Sequence, residues 1–255
     1  MIYASDLDRT LIYSQTFLDM HPTENETILV DESKVNSYMV DKVADLLEEV
    51  NNHRKIRFIP VTTRSIAEYK RVKFRGFTPE FAIVASGAKI LHNGEPMQEW
   101  EDYINPKMNI DELELIVDEF DALESTNYKS KIIDGSFVFS KSSDIAKTKT
   151  ELNTLREKYP HYKFYLDKHK VYAIPECFGK GITLKWLKQY LDEKYIIASG
   201  DTAFDLPMLH EADLAIIPSH KTIKEDELNG LSYVEITGGA NSPLTTLNIV
   251  RNYVE

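Results

Sequence analysis

The chain has 255 residues, 42% of them hydrophobic and 28% charged, enough apolar material for one large domain or two smaller ones. Its net charge of −11 argues against nucleic acid or an anionic membrane as the main partner, because both require a basic face. An anionic small substrate stays open, since a metal ion and a few local cations can invert the field inside one cleft. The single cysteine, Cys177, cannot form an internal disulfide and fits a reducing compartment. No stretch resembles a signal peptide and no run of about 18 apolar residues could span a bilayer, so a soluble, cytoplasmic protein is expected.

Strands and helices alternate at the start of the chain. Residues 1–5 read as a short buried strand, 23–32 as a polar loop, and 33–52 as an amphipathic helix with Val35, Met39, Val43, Leu46, Leu47 and Val50 on one stripe. A second strand over 56–61, a polar helix over 65–74 and a third strand over 81–85 complete a β-α-β rhythm, the mark of a parallel sheet with helices on its faces. The rhythm then breaks. Residues 89–97 read as a hairpin turned by Asn93-Gly94, followed by a helix over 111–123, a strand over 131–139, a polar helix over 143–159 and a strand pair over 162–166 and 170–174. That order describes a small α+β layer. From Gly181 the first rhythm returns, with helices over 181–191, 204–212 and 242–253 and strands over 195–199, 214–217 and 233–236. The expected architecture is therefore an α/β, Rossmann-like core over 1–87 and 179–255, interrupted by an inserted α+β module over 88–178. Glycines at Ser86-Gly87 and Gly179-Lys180-Gly181 mark the two crossovers.

Chemistry concentrates where strands of the parallel sheet end, the place where open α/β sheets bind ligands. Asp6-Leu7-Asp8-Arg9-Thr10 follows the first strand. Two carboxylates two residues apart lie on the same side of an extended chain, which is costly unless a cation sits between them or one is protonated. A lone D-x-D is also compatible with a turn capped by its own Asp side chains. The other segments are Thr62-Thr63-Arg64-Ser65 after the second strand, Lys180 at a helix start, and Gly200-Asp201-Thr202-Ala203-Phe204-Asp205 after a late strand. Hydroxyls, a lysine and four carboxylates converging on one sheet edge suit a phosphoryl group and a divalent cation, and hard oxygen ligands favour Mg²⁺. One carboxylate can attack phosphorus to form an aspartyl phosphate.

With these motifs in this order, the chain resembles the haloacid dehalogenase superfamily, in the Cof-like branch that also holds sucrose-phosphate phosphatases and phosphomannomutases. The insertion resembles that branch's cap, which implies a substrate-specificity role for residues 88–178. Thr62-Thr63-Arg64 stands where Thr-Gly-Arg is frequent, Ser86-Gly87-Ala88 where Asn-Gly-Ala is common, and Phe204 replaces a frequent Asn. The resemblance implies Asp6 as nucleophile and Mg²⁺ ligand, and Asp8 as general acid then base with its carbonyl on the metal. It implies Thr62 and Lys180 at the phosphoryl group, Thr63 and Arg64 beside the substrate, Asp201 on the metal and Asp205 in support. The expected activity is a Mg²⁺-dependent phosphatase acting on a small phosphorylated metabolite, plausibly a sugar phosphate. The same motifs suit a phosphomutase, in which a sugar hydroxyl accepts the phosphoryl group. They also suit a regulatory protein that only binds a phosphate ligand.

Other candidates carry less. Cys177 reads as a small packing residue. His53, His92, His161, His169, His210 and His220 show no metal-ligand spacing. Lys129, Lys131, Lys168, His169 and Lys170 read as a solvated face, with contact to a leaving group as the alternative. Phe137, Tyr165 and Tyr172 read as module core. Nothing in the sequence sets an oligomeric state.

Overall fold

In the computed structural model, which describes residues 1–254, the chain begins with β1 (Ile2–Ser5), buried along its whole length. There follow β2 (Tyr13–Ser14), α1 (Gln15–Met20), β3 (Thr27–Asp31), β4 (Ser37–Val40), α2 (Asp41–Asn52), β5 (Arg57–Pro60), α3 (Ile66–Tyr69), β6 (Phe81–Val84), β7 (Lys89–His92) and β8 (Glu95–Pro96). The next stretch holds α4 (Gln98–Ile104), α5 (Ile110–Ala122), β9 (Lys131–Ile133), β10 (Phe137–Lys141), α6 (Ile145–Lys158), β11 (Tyr162–Asp167) and β12 (Lys170–Pro175). The chain closes with α7 (Lys180–Tyr190), β13 (Ile196–Ser199), α8 (Leu206–His210), β14 (Leu214–Pro218), β15 (Tyr233–Ile236) and α9 (Ser242–Asn252).

The central sheet is parallel, in the order β15-β14-β13-β1-β5. Tyr3 is in register with Phe58 and Ile197, so these side chains share a face. With Ile216 they form one core with Val43, Leu47 and Val50 of α2 and Leu247 and Val250 of α9. Ile2, Ala4 and Ile59 alternate onto the other face and are equally buried, the signature of a parallel sheet covered on both sides. This is the α/β class that the sequence implies. β6 extends the sheet through a parallel bridge from Val61 to Ile83, then folds back as the antiparallel meander β6-β7-β8.

The residues fall into two compact units, Met1–Met97 with the stretch from Lys180 onward, and Gln98–Gly179. The sequence places the first junction near residue 87, whereas the hairpin that follows pairs with β6 and clusters with the first unit. The second unit is an antiparallel sheet, β11-β12-β10-β9. Val138, Phe164, Val171 and Ala173 pack there with Leu113, Ile116 and Phe120 of α5 and Leu152 and Leu155 of α6. Phe137 and Tyr172 are buried as well.

Several elements differ from the sequence reading. The helix expected over 33–52 starts only at Asp41. Residues 37–40 form β4, paired with β2 and with β3, which occupies the expected loop. Val35 is 68% exposed. Met39, Val43 and Leu46 keep helical spacing across the strand-to-helix boundary, so periodicity alone cannot locate that boundary. The helix expected over 65–74 is one turn, because the Lys73 amide pairs with the Val30 carbonyl at 2.8 Å instead of continuing it. The single strand expected over 131–139 is the hairpin β9–β10. Its turn, Asp134-Gly135, has φ of 47° and 67°, as a type I′ turn requires. α4 has no counterpart in the sequence reading. Among the described residues, no helix is long and apolar enough to cross a membrane.

Candidate active site

The carboxyl edge of the central sheet fixes the first acidic residue. The Asp6 amide donates to the Ser199 carbonyl at 2.9 Å, and the Val61 amide to the Ser5 carbonyl at 2.8 Å. Asp6 is thus held between β13 and β5, and it is only 6% exposed. Lys180, the first residue of α7, reaches the same place. Its Nζ lies 2.6 Å from Asp6 Oδ1 and 2.6 Å from Asp205 Oδ1. Gly181 lets α7 come this close, since a Cβ there would lie 2.2 Å from the Pro207 carbonyl oxygen.

Asp205 organises the late loop. Its Oδ2 accepts from the amides of Asp201 (3.0 Å) and Thr202 (2.9 Å) and from Thr202 Oγ1 (3.0 Å). With Lys180 on Oδ1, both of its oxygens are engaged. Asp201 is the opposite case. It is fully buried, and neither carboxylate oxygen has a hydrogen-bond partner. Orphaned buried carboxylate oxygens are rare and ask for a missing ligand. One oxygen each from Asp6, Asp201 and Asp205 lie within 4.8 Å of one another. The three could therefore hold a metal ion, and the donor set is the hard-oxygen type that Mg²⁺ prefers.

Burial and mutual repulsion of the carboxylates set the electrostatics of the site. Burial, then the Asp205 and Asp6 carboxylates, push Asp201 up to about 8, against the pull of Arg9 and Lys180. Burial pushes Asp6 up to about 7, with Lys180 opposing and Asp205 and Asp8 adding. Lys180 would be lowered by burial, but Asp205 and Asp6 outweigh that and hold its ammonium above the usual range.

The Asp8 carboxylate does not join this trio. The chain bends sharply after Asp6, with Arg9 at φ 65°, so the same-side geometry of an extended D-x-D is lost. Asp8 is instead half exposed and held by Arg64. Arg64, expected beside the substrate, uses its fork internally. Nε and Nη2 donate to Asp8, Nη2 also to Ser37 Oγ at 3.1 Å, and Nη1 to Asp31 at 2.6 Å. Thr62 is fully buried. Its amide donates to the Ile83 carbonyl, its carbonyl accepts from Ser86, and its Oγ1 accepts the Arg64 amide at 3.2 Å. Thr63, beside it, is half-buried. The facing turn, Ala85-Ser86-Gly87, has three successive positive φ values of 51°, 58° and 98°, a strained arrangement of the kind found at functional sites.

Sequence reasoning gave no role to Asp31, Ser37, Arg9 or His220. Asp31 is only 2% exposed and also accepts from Arg71 at 3.1 Å. It sits in the stretch read as a polar loop, and recognising β3 and β4 was the signal that could have found it. A cavity of about 490 Å³ lined by Met1, His53, Lys55, Arg57 and Glu193 lies at the amino ends of the strands, away from these carboxylates.

Compared with known families, residues 1–229 match sucrose-6F-phosphate phosphohydrolase. The chain belongs to this family. It is a phosphatase of the haloacid dehalogenase superfamily, and the resemblance drawn from its motifs holds. Comparison with curated protein sequences finds no match. Among solved structures, it is similar to the sucrose-phosphatase of Synechocystis sp. PCC6803 in complex with sucrose and phosphate, at 15% identity and TM-score 0.67, covering 98% of each chain. It is also similar to trehalose-6-phosphate phosphatase of Aspergillus fumigatus, at 13% identity and TM-score 0.58, covering 98% of this chain and 92% of that one. A haloacid dehalogenase-like hydrolase of Bacillus subtilis aligns at 15% identity and TM-score 0.60, covering 97% and 90%. At these identities the structures speak for the fold.

Proposed function

We propose that this phosphatase is Mg²⁺-dependent and hydrolyses a sugar phosphate through an aspartyl-phosphate intermediate on Asp6. The observation that carries the reading is Asp201, buried with neither carboxylate oxygen hydrogen-bonded, beside Asp6 and Asp205. Support for a sugar phosphate comes from the family's own description and from the sucrose and trehalose-6-phosphate phosphatases of similar fold.

Asp6, Asp201 and Asp205 would hold the ion, with Asp205 acting mainly through the loop it braces, and the Asp8 carbonyl would complete the protein's share. A bound Mg²⁺ supplies charge neutralisation at the phosphoryl oxygens and at the nucleophile. The Asp6 carboxylate attacks phosphorus as the bond from phosphorus to the sugar oxygen breaks, and Asp8 delivers a proton to that oxygen. Water, deprotonated by Asp8, then attacks phosphorus and releases inorganic phosphate and free Asp6. Lys180 favours the ionised form of Asp6 against the effect of burial and offsets charge that grows in the transition state. Thr62 Oγ1 and the Thr63 backbone position the phosphoryl oxygens, and Arg64 orients Asp8.

The test is phosphate release from a panel of sugar phosphates, nucleotides and polyol phosphates, with and without chelator, for the wild type and Asp6→Asn. Release that is fastest on a sugar phosphate, abolished by chelator and abolished in Asp6→Asn at unchanged fold supports the reading. Activity that ignores either change rejects it, and isomer formation without phosphate release assigns a mutase.

A further inference from the structure

Arg9 occupies a position that ordinary residues avoid. It follows Asp8 in the turn after β1 with φ 65°, a left-handed conformation that costs a residue with a Cβ about 1 kcal/mol. Two reciprocal hydrogen bonds hold it there. Arg9 Nη2 donates to the His220 carbonyl at 2.9 Å, and His220 Nε2 donates to the Arg9 carbonyl at 2.8 Å. The guanidinium also lies 5.9 Å over the Phe17 ring, which the His220 ring meets edge-on at 4.8 Å. These contacts hold the head group with Nε 3.3 Å from Asp201 Oδ2, an ion pair without a hydrogen bond. Nε itself is buried and has no hydrogen-bond partner, as is true of both Asp201 oxygens.

The cations of the site are therefore divided. The Lys180 ammonium bridges Asp6 and Asp205, while among the described residues the positive group paired with Asp201 is Arg9. Cation binding requires the three carboxylates to be ionised; in that state Lys180 and Arg9 leave one net negative charge, and Lys180 alone leaves two. An incoming divalent cation is drawn more strongly to the second arrangement, and it would meet the guanidinium at the one carboxylate that has nothing else to bind.

We propose that Arg9 is a built-in counter-ion of Asp201 that competes with the divalent cation for this carboxylate and so lowers the cation affinity of the site. The inference rests on the reading of Asp201 as a cation ligand. Arg9 offsets the Asp201 charge whenever that carboxylate is ionised, and its tether to His220 and Phe17 keeps the repulsion in place once the cation is bound. The free Mg²⁺ needed to fill the site rises accordingly.

The test is calorimetric titration of the chelator-treated protein with MgCl₂, for the wild type, Arg9→Gln, Arg9→Gly and Arg9→Lys. Removing one unit charge at this distance should tighten Mg²⁺ binding about tenfold in both Arg9→Gln and Arg9→Gly. Arg9→Lys, which keeps the charge, should stay within about twofold of the wild type. Glycine accepts the left-handed backbone, so Arg9→Gly reads the charge even where Arg9→Gln folds poorly. Unchanged or weaker affinity in Arg9→Gly overturns the proposal, as does Arg9→Lys tightening as much as Arg9→Gln. Phosphate release by the wild type, measured on the same preparation, separates the two readings. Turnover with a Mg²⁺ affinity indifferent to Arg9→Gly removes this inference alone. Mg²⁺ binding without turnover removes the phosphatase mechanism and leaves this inference standing. Failure of every form to bind Mg²⁺ removes both.

Discussion

Arg64 grips both carboxylate oxygens of Asp8, its Nε and Nη2 each 2.8 Å away, although the two residues are 56 positions apart in the chain. The fork is itself anchored from beneath. Asp31, nearly inaccessible to solvent, accepts Arg64 Nη1 at 2.6 Å, and Ser37 accepts Nη2. Burial works against the Arg64 charge, yet Asp8 and Asp31 together hold its pKa above the usual range. A half-exposed carboxylate is thus oriented by a rigid, buried base, and the acid–base role proposed for Asp8 depends on that orientation.

Arg64→Lys should expose this orienting role. Lysine keeps the charge but not the planar fork, so the protein should fold with a stability loss of about 1 kcal/mol. Proton transfer matters most for poor leaving groups. The kcat/KM on a sugar phosphate should therefore fall by about tenfold or more beyond any fall on p-nitrophenyl phosphate. Equal losses on both substrates would remove Arg64 from the orientation of Asp8.

Lys180→Met would leave Asp6 and Asp205 buried without their shared ammonium. Breaking a buried pair from one side costs about 3–5 kcal/mol, visible as a lower midpoint in urea denaturation. Mg²⁺ should recover part of the loss, because it would supply positive charge to the same carboxylates. A variant as stable as the wild type in chelator would mean that the two carboxylates share a proton rather than a lysine.

How far the sequence shows these features depends on what each one rests on. Asp6, Lys180, Asp201 and Asp205 lie at ends of strands or starts of helices in the parallel core, whose apolar runs and alternation are strong local signals, and the structure brings all four together. The parallel order itself follows from the β-α-β rhythm. The flap made by β2, β3 and β4 was hidden. Its strands are short, β3 is a brief apolar run inside an otherwise polar stretch, and the apolar spacing of Met39 and Val43 continues into α2 without a break. Asp31 and Ser37 were hidden with it, and so was the reason that Arg64 turns inward. Arg9 and His220 meet across 211 residues, a relationship that no local pattern carries. Asp134-Gly135 carries a hairpin-turn signal, although the apolar residues on either side also fit one continuous strand over 131–139.

Gly181→Ala and Gly94→Ala separate steric crowding from backbone conformation. A Cβ at Gly181 would strike the Pro207 carbonyl at 2.2 Å, and backbone cannot swing aside as a side chain can. At Gly94 the space is open and only the φ of 82° opposes a side chain. Gly181→Ala should cost roughly 2–3 kcal/mol or more, Gly94→Ala about 1 kcal/mol. Only the first should also reduce turnover, because it shifts the start of α7 and with it Lys180. Urea denaturation and a phosphate-release assay on both variants decide the matter.

The pH dependence of stability offers a reading of the site that needs no substrate. Asp201 and Asp6 are raised to about 8 and about 7, chiefly by burial, whereas in the unfolded chain both titrate near about 4. Each therefore holds its proton more tightly when folded. That favours folding below about pH 4, and the advantage is lost as pH rises through the folded values. In chelator, the Tm contribution of these two groups should fall steadily between about pH 5 and 8. A divalent cation binds the ionised forms, so the Tm gain it gives should grow over the same window, from near zero at about pH 5 to several degrees at about pH 8. Taking the difference between Mg²⁺ and chelator at each pH cancels the titration of every group outside the site. Asp201→Asn, neutral throughout, should flatten that difference. A Mg²⁺ gain that is constant from pH 5 to 8 would mean that Asp6 and Asp201 are already ionised in the ion-free fold, with Lys180 and Arg9 sufficing to hold them so.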